Sequence, residues 1–165
     1  MGEDALSEKA KKKAFQLLAV RGRSEKELRL KLKEKGFDEA VIGEVVTRFY
    51  ELKYLDDASF ARQWARNLGV NRLFGDRRIV SSLREKGISP PLIEEAIAAL
   101  RSEMSETEAI KILIGKKTTS HHVMNRDDKI KGRLFRSLMG KGFPTDLIFH
   151  MLNELSGESL GGMCE

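Results

Sequence analysis

A six-residue phrase recurs three times in this chain of 165 residues: "LKEKGF" at 32–37, "LREKGI" at 83–88 and "LMGKGF" at 138–143. Each places a Leu four residues before a Gly and a large apolar residue directly after it. With Gly36, Gly87 and Gly142 set just past a helix end, Leu32, Leu83 and Leu138 fall on the last turn. Phe37, Ile88 and Phe143 then follow the glycine. Those two positions touch in a Schellman cap, where glycine adopts the left-handed conformation without a Cβ penalty. Lys35, Lys86 and Lys141 lie on the last turn, where the negative end of the helix dipole favours a cation. The phrase is a helix stop, written three times.

The register extends beyond the cap. Eight residues before each glycine stand Leu28, Ile79 and Leu134. Five and six after it come Val41-Ile42, Leu92-Ile93 and Leu147-Ile148; nine and ten after it, Val45-Val46, Ala96-Ile97 and Met151-Leu152. Thirteen after it come Phe49, Leu100 and Leu155. Apolar residues at i, i+1, i+4, i+5 and i+8 trace one helical face, so the pattern is an internal repeat with a period of roughly 50 residues. Each repeat also carries a preceding helix. Leu6, Ala10, Ala14, Phe15, Leu17 and Leu18 mark the first, Phe60, Ala61, Trp64, Ala65 and Leu68 the second, and Ala109, Ile110, Leu113 and Ile114 the third. The expected fold is all-α: three tandem three-helix repeats forming an elongated, curved helical array, in which neighbours share a core. The repeats are placed at 1–54, 55–104 and 105–155, followed by a flexible tail at 156–165.

Helix starts are marked as well. Ser24 followed by Glu27 reads as a capping box, and Asp38 and Ser89 as N-caps, with Pro90 at the tolerated first helical position. Asp56-Asp57 are expected to cap the helix beginning "ASFARQW" rather than to act as paired catalytic carboxylates. Pro144 stands where the first two repeats have their third-helix caps, and "GKKTTSHHVMNRDD" (115–128) is a longer polar connection than "RGR" or "GVNRLFG".

Composition then narrows the function. Thirty Lys and Arg against 25 Asp and Glu give a net charge of +5, a mild preference for an anionic partner. The single cysteine, Cys164, rules out a disulfide framework and a four-cysteine zinc site. His121, His122 and His150 lack carboxylate or thiolate companions at metal-ligand spacing, so no metal and no cofactor are expected. No apolar run reaches membrane-spanning length and the start lacks a signal-peptide core, which points to a cytoplasmic protein with no membrane contact. No Ser-His-Asp order, phosphate loop or activated cysteine assembles, so neither an enzyme nor a small-molecule substrate is expected.

With the apolar face of each second helix assigned, the opposite face is basic. It carries Lys26 and Arg77 ten residues before the glycine, Arg78 and Arg133 nine before, and Lys33 and Arg84 three before; the preceding loops add Arg21, Arg23 and Arg72. Such a track suits phosphates or an acidic protein surface, although exposed helix faces are often charged simply because they are solvated. Phe60 and Trp64, one turn apart, fit core packing. Phe74, between arginines, fits either base stacking or a plug at a helix junction.

The middle of the chain, "YLDDASFARQWARNLGVNRLFGDRRIVSSLREKGIS", and the earlier "RGRSEKELRLKLKEKGF" resemble the RecX family of recombination regulators over roughly residues 8–155. The third repeat departs from the pattern in its "HH" loop and in Gly132 and Gly140. The resemblance implies a modulator, usually an inhibitor, of the RecA recombinase. Such a protein binds in the groove of the RecA filament on single-stranded DNA and limits filament growth, ATP hydrolysis, strand exchange and coprotease activity. Direct DNA contact would be weak and secondary. Two other readings remain open on the residues alone. One is a helical module that binds DNA without RecA, which the admixture of Glu27, Glu34 and Glu85 on the basic helices disfavours as a base reader. The other is a helical scaffold for an unrelated partner.

Overall fold

The computed structural model describes residues 2–117 and 128–155. Within them lie the α-helices α1 (Gly2–Val20), α2 (Glu25–Glu34), α3 (Glu39–Glu51), α4 (Asp57–Arg66), α5 (Asp76–Glu85), α6 (Pro90–Glu103), α7 (Glu106–Lys117), α8 (Asp128–Gly140) and α9 (Thr145–Leu155). A π-helical turn, Asn67–Asn71, extends α4. Among the described residues there is no strand. The connection at 118–127, with His121 and His122, and the tail with Cys164 lie outside the described residues. The chain divides into two compact units. The first comprises the residues up to Trp64 together with Ser82–Ala96; the second comprises Ala65–Ser81 and the residues from Ile97 onward. Helices α4, α5 and α6 therefore contribute to both.

In the first unit, α1, α2 and α3 close on Leu28, Leu32, Ile42, Val45, Phe49 and Leu55, each no more than 1% exposed. Full burial of a Leu, Ile or Phe side chain contributes roughly 1.5–3 kcal/mol. Helix α1 meets this core through Ala10 and Ala14, both wholly buried, while Leu6 and Phe15 stay more than two-fifths exposed. The small side chains let the α1 backbone approach closely, which moves the apolar stripe expected at Leu6 and Phe15 toward its edge. Phe15 instead meets Phe49 at a tilt and Tyr54 edge-on, with ring centroids 4.8 Å away in each case. The second unit repeats the scheme with α7, α8 and α9 around Ile110, Leu138, Phe143, Ile148 and Met151. Leu73, just after the π-helical turn, joins this core with φ at +54°.

All three glycines are C-caps of the expected kind. Gly36, Gly87 and Gly142 have φ of +86°, +79° and +91°. The amides of Phe37, Ile88 and Phe143 donate to the carbonyls of Leu32, Leu83 and Leu138 at 3.3, 3.1 and 3.4 Å. The glycine amides donate to Lys33, Arg84 and Met139 at 2.9 Å. These are the paired bonds of a Schellman motif. The capping box at Ser24 and Glu27 and the Asp38 cap on Val41 also stand where their spacing put them.

Two of these caps serve a second purpose. In the first unit the start of α2 abuts the end of α5: the Ser24 hydroxyl donates to the Lys86 carbonyl at 2.7 Å and the Lys26 ammonium to the Glu85 carbonyl at 3.1 Å. In the second unit the start of α5 abuts the end of α8: the Gly75 amide donates to the Lys141 carbonyl at 2.9 Å and the Arg78 guanidinium to the Gly140 carbonyl at 2.6 Å. Donors of one helix start thus satisfy orphan acceptors of another helix end, with the two dipoles aligned favourably. Ser24 and Gly75 both lie twelve residues before a cap glycine, so the two joints are equivalent in the repeat. The approach is close. A Cβ on Gly142 would sit 2.6 Å from the Arg78 amide nitrogen, one on Gly87 2.7 Å from the Lys26 Cβ, and one on Gly36 would meet nothing within 4 Å.

Alanine at Gly36 should therefore cost only the left-handed backbone penalty, about 1 kcal/mol. Alanine at Gly142 should cost about 1–3 kcal/mol more, because the Arg78 backbone must move. Urea denaturation of the two variants beside the parent chain measures the difference, and equal losses would refute the joint's tight fit.

Candidate partner-binding surface

The basic residues of the second helices separate into two groups once the joints are drawn. In the first unit Arg21 forks onto the Glu27 carboxylate at 2.9 and 3.1 Å, the Arg23 guanidinium donates to the Leu17 carbonyl, and Lys26 caps α5. These three hold the structure. Lys33 and Arg84 are exposed and make no ion pair or hydrogen bond of their side chains among the described residues. In the second unit Arg78 caps α8 while its guanidinium lies 4.4 Å from the Phe74 ring centroid. Arg72, Arg77 and Arg133 are exposed and their side chains likewise make no hydrogen bond or ion-pair contact among the described residues, although the Arg77 charge acts on Glu106. Sequence periodicity cannot make this distinction, since joint-forming and solvent-facing cations occupy the same helix face.

The aromatic residues resolve in the same way. Phe74 receives both Arg78 and the Lys141 ammonium, the latter 4.9 Å from its centroid, and Lys141 also donates to the Arg72 carbonyl at 3.0 Å. Phe74 is thus the plug of the second joint. Trp64 stacks on Phe60 with centroids 5.6 Å apart; its indole N–H donates to the Ser82 hydroxyl at 2.9 Å and the Lys86 ammonium lies over its ring. Cation–π contacts of this kind contribute about 0.5–2 kcal/mol each. Two of the three cap lysines, Lys86 and Lys141, are drawn into joints, while Lys35 stays exposed at the end of α2.

Asp56 and Asp57 divide their work. Asp56 caps α4, accepting the Ser59 amide at 3.0 Å, and that bond holds its carboxyl below the ordinary value. Asp57 reaches α2, accepting the Glu25 amide at 2.8 Å. Asp57 keeps its place in the first turn of α4, where the dipole favours an acid, but its hydrogen bond corrects the expectation that both acids cap α4: the fold, unseen in local sequence, brings the α2 amide to it. Glu106 does the same in the second unit, accepting the Asp76 amide at 2.8 Å. Burial pushes the carboxyls of Asp57 and Glu106 up, and those amide bonds offset it only in part. His150 is exposed on α9, and among the described residues no three His, Cys, Asp or Glu converge as a metal site.

Glu27 is the electrostatic centre of the first joint, bonded by Arg21 and by the Lys86 ammonium. Burial pushes its carboxyl up, but the two cations outweigh burial and hold it at about 2. A depressed carboxyl stabilises the fold above its unfolded pKa and loses that contribution as pH falls from about 4.5 toward 2. Glu27→Gln should therefore lower stability at pH 7 by about 1–2 kcal/mol after solvent screening. The deficit should shrink at pH 3. Urea midpoints at the two pH values test this, and a pH-independent deficit would contradict it.

Two family models match the chain, "RecX, first three-helix domain" over residues 10–49 and "RecX, second three-helix domain" over residues 56–97. A regulatory protein RecX from Caldanaerobacter subterraneus subsp. tengcongensis is 32% identical over 89% of this chain and 71% of its own length. One from Bacillus velezensis is 32% identical over 96% of this chain, which spans 59% of that relative. The crystal structure of RecX from Lactobacillus salivarius superposes with a TM-score of 0.79 at 23% identity, covering 92% of this chain and 97% of that one. With the glycine caps, the helix order and the sequence matches in agreement, the chain belongs to the RecX family of regulatory proteins.

Proposed function

We propose that this protein regulates, and in the usual case inhibits, the RecA recombinase. It does so by binding the groove of the RecA filament on single-stranded DNA and limiting filament growth, ATP hydrolysis, strand exchange and coprotease activity. The carrying observation is a set of exposed cations whose side chains make no hydrogen bond or ion-pair contact among the described residues, on a chain of the RecX family: Lys33 and Arg84 in the first unit, Arg72, Arg77 and Arg133 in the second. An unpaired exposed cation is available to an anionic surface at little desolvation cost, and it speeds encounter with a negatively charged filament. Arg21, Arg23, Lys26 and Arg78 have a subsidiary role in this reading, because contact with a partner would compete with bonds they already make. Direct DNA contact through the same cations is secondary.

The reading extends to the layout of the chain: three tandem units at 1–54, 55–104 and 105–155, with 156–165 as a tail. The third repeat of the cap register, beyond the two matched domains, supports that division. No helix of the described residues is long and apolar enough to cross a membrane. A cytoplasmic, non-enzymatic regulator needing no metal or cofactor completes the proposal.

The test is the single-stranded-DNA-dependent ATPase of RecA from the same organism, titrated with this protein. Inhibition below a one-to-one ratio is expected. The pairs Lys33→Glu/Arg84→Glu and Arg77→Glu/Arg133→Glu should each weaken it about tenfold, the effect of roughly 1.4 kcal/mol of lost charge complementarity, with unchanged helical circular dichroism. Arg78→Glu is a poor probe because it also breaks the second joint. Absence of inhibition together with tight, salt-sensitive duplex binding would replace this reading with a DNA-binding module independent of RecA.

A further inference from the structure

We propose that the cleft between α8 and α9 is a docking groove for an acidic amphipathic helix of a protein partner. It is a site separate from the exposed cations described above. The cleft encloses about 250 Å³ and is lined by Lys131, Phe135, Arg136, Phe149 and Leu152. Its size is below that of most small-ligand pockets, so it suits inserted side chains rather than a whole cofactor. The Phe135 and Phe149 rings lie 4.7 Å apart, and Phe149 is 54% exposed.

The repeat shows that the fold does not require these residues. Phe135 lies seven residues before its cap glycine, where the earlier segments have Arg29 and Val80; Phe149 lies seven after, where they have Gly43 and Glu94. The same helical framework thus forms without either aromatic. Lys131 stands where the earlier segments carry Glu25 and Asp76, and Arg136 where they carry Leu30 and Ser81. The third segment has therefore exchanged acidic and neutral positions for a cationic rim, and small or charged ones for an aromatic floor. An aromatic floor with a basic rim complements a helix whose apolar stripe is flanked by carboxylates. Asp146 and Glu154 on α9 are the nearby acids in sequence, against Lys129, Lys131 and Arg136 on α8 with Asp128 alone. The lining stretch of α8, from 131 to 136, spans about 8 Å, room for two anchors one helical turn apart. This groove lies beyond both matched three-helix domains, and the inference stands or falls apart from the filament reading.

The experiment is fluorescence anisotropy of the full chain with a labelled helical peptide bearing Leu and Phe at i and i+4 and glutamates elsewhere. A scrambled peptide of equal charge serves as control. Saturable micromolar binding is expected for the first peptide, weakened at least tenfold by Phe149→Ala and by Arg136→Glu, with the scrambled peptide at least tenfold weaker throughout. Both substitutions fall on exposed positions, and Arg136→Glu keeps the test valid should the other variant misfold. Equal affinity for both peptides, or binding untouched by the two variants, overturns the proposal. So does self-association in sedimentation that Phe149→Ala abolishes, which makes the occupant a second copy. Binding seen only after removal of residues 156–165 likewise overturns it in favour of the chain's own tail.

Discussion

The structure depends on glycine at the ends of α5 and α8. A left-handed residue there ends each helix and closes its carbonyls, and the missing Cβ lets another helix start come within van der Waals contact of the cap. Orphan amide and side-chain donors at a helix start then meet orphan carbonyls at a helix end. Charge reinforces both joints: Glu27 with Lys86 in the first unit, Arg78 and Lys141 around Phe74 in the second. The first joint is acidic and the second cationic at the same repeat position, since Glu27 and Arg78 both lie nine residues before a cap glycine. One geometry is thus maintained by two different chemistries.

That economy shapes the surface. A helix face that must supply donors to a neighbouring cap will be rich in Lys and Arg whether or not it meets a partner. The composition of α2 and α5 therefore overstates their availability. Lys26 and Arg78 contribute to helix ends, whereas Lys33, Arg84, Arg72, Arg77 and Arg133 leave their charges in water. The acids show the same division of labour, with Asp57 and Glu106 held partly buried on the start of a helix from the preceding segment. Such long-range caps tie consecutive segments of the chain through hydrogen bonds.

Much of the fold was legible because caps and helical periodicity are local. Gly36, Gly87 and Gly142, the box at Ser24 and the cap at Asp38 act within a few residues, so their spacing alone identifies them. The partner of Asp57, the exposure of Leu6 and Phe15, and the enclosure of Phe74 were illegible for the opposite reason. Each depends on a residue more than thirty positions away or on how closely two helices approach. Ala10 and Ala14 set that approach for α1, and nothing in a helical wheel says that two alanines will outrank a leucine and a phenylalanine.

The sequence by itself determined where helices end, which face of each is apolar, and that one building pattern recurs, because hydrogen bonds and side-chain periodicity within a turn are properties of neighbouring residues. It also carried the family resemblance through ordered motifs. Only the tertiary structure decided which cations are spent on joints and which remain for a partner, and that α8 and α9 open an aromatic cleft. Those outcomes follow from which helix end lies beside which helix start, and chain contacts across long separations are fixed by packing rather than by local spacing.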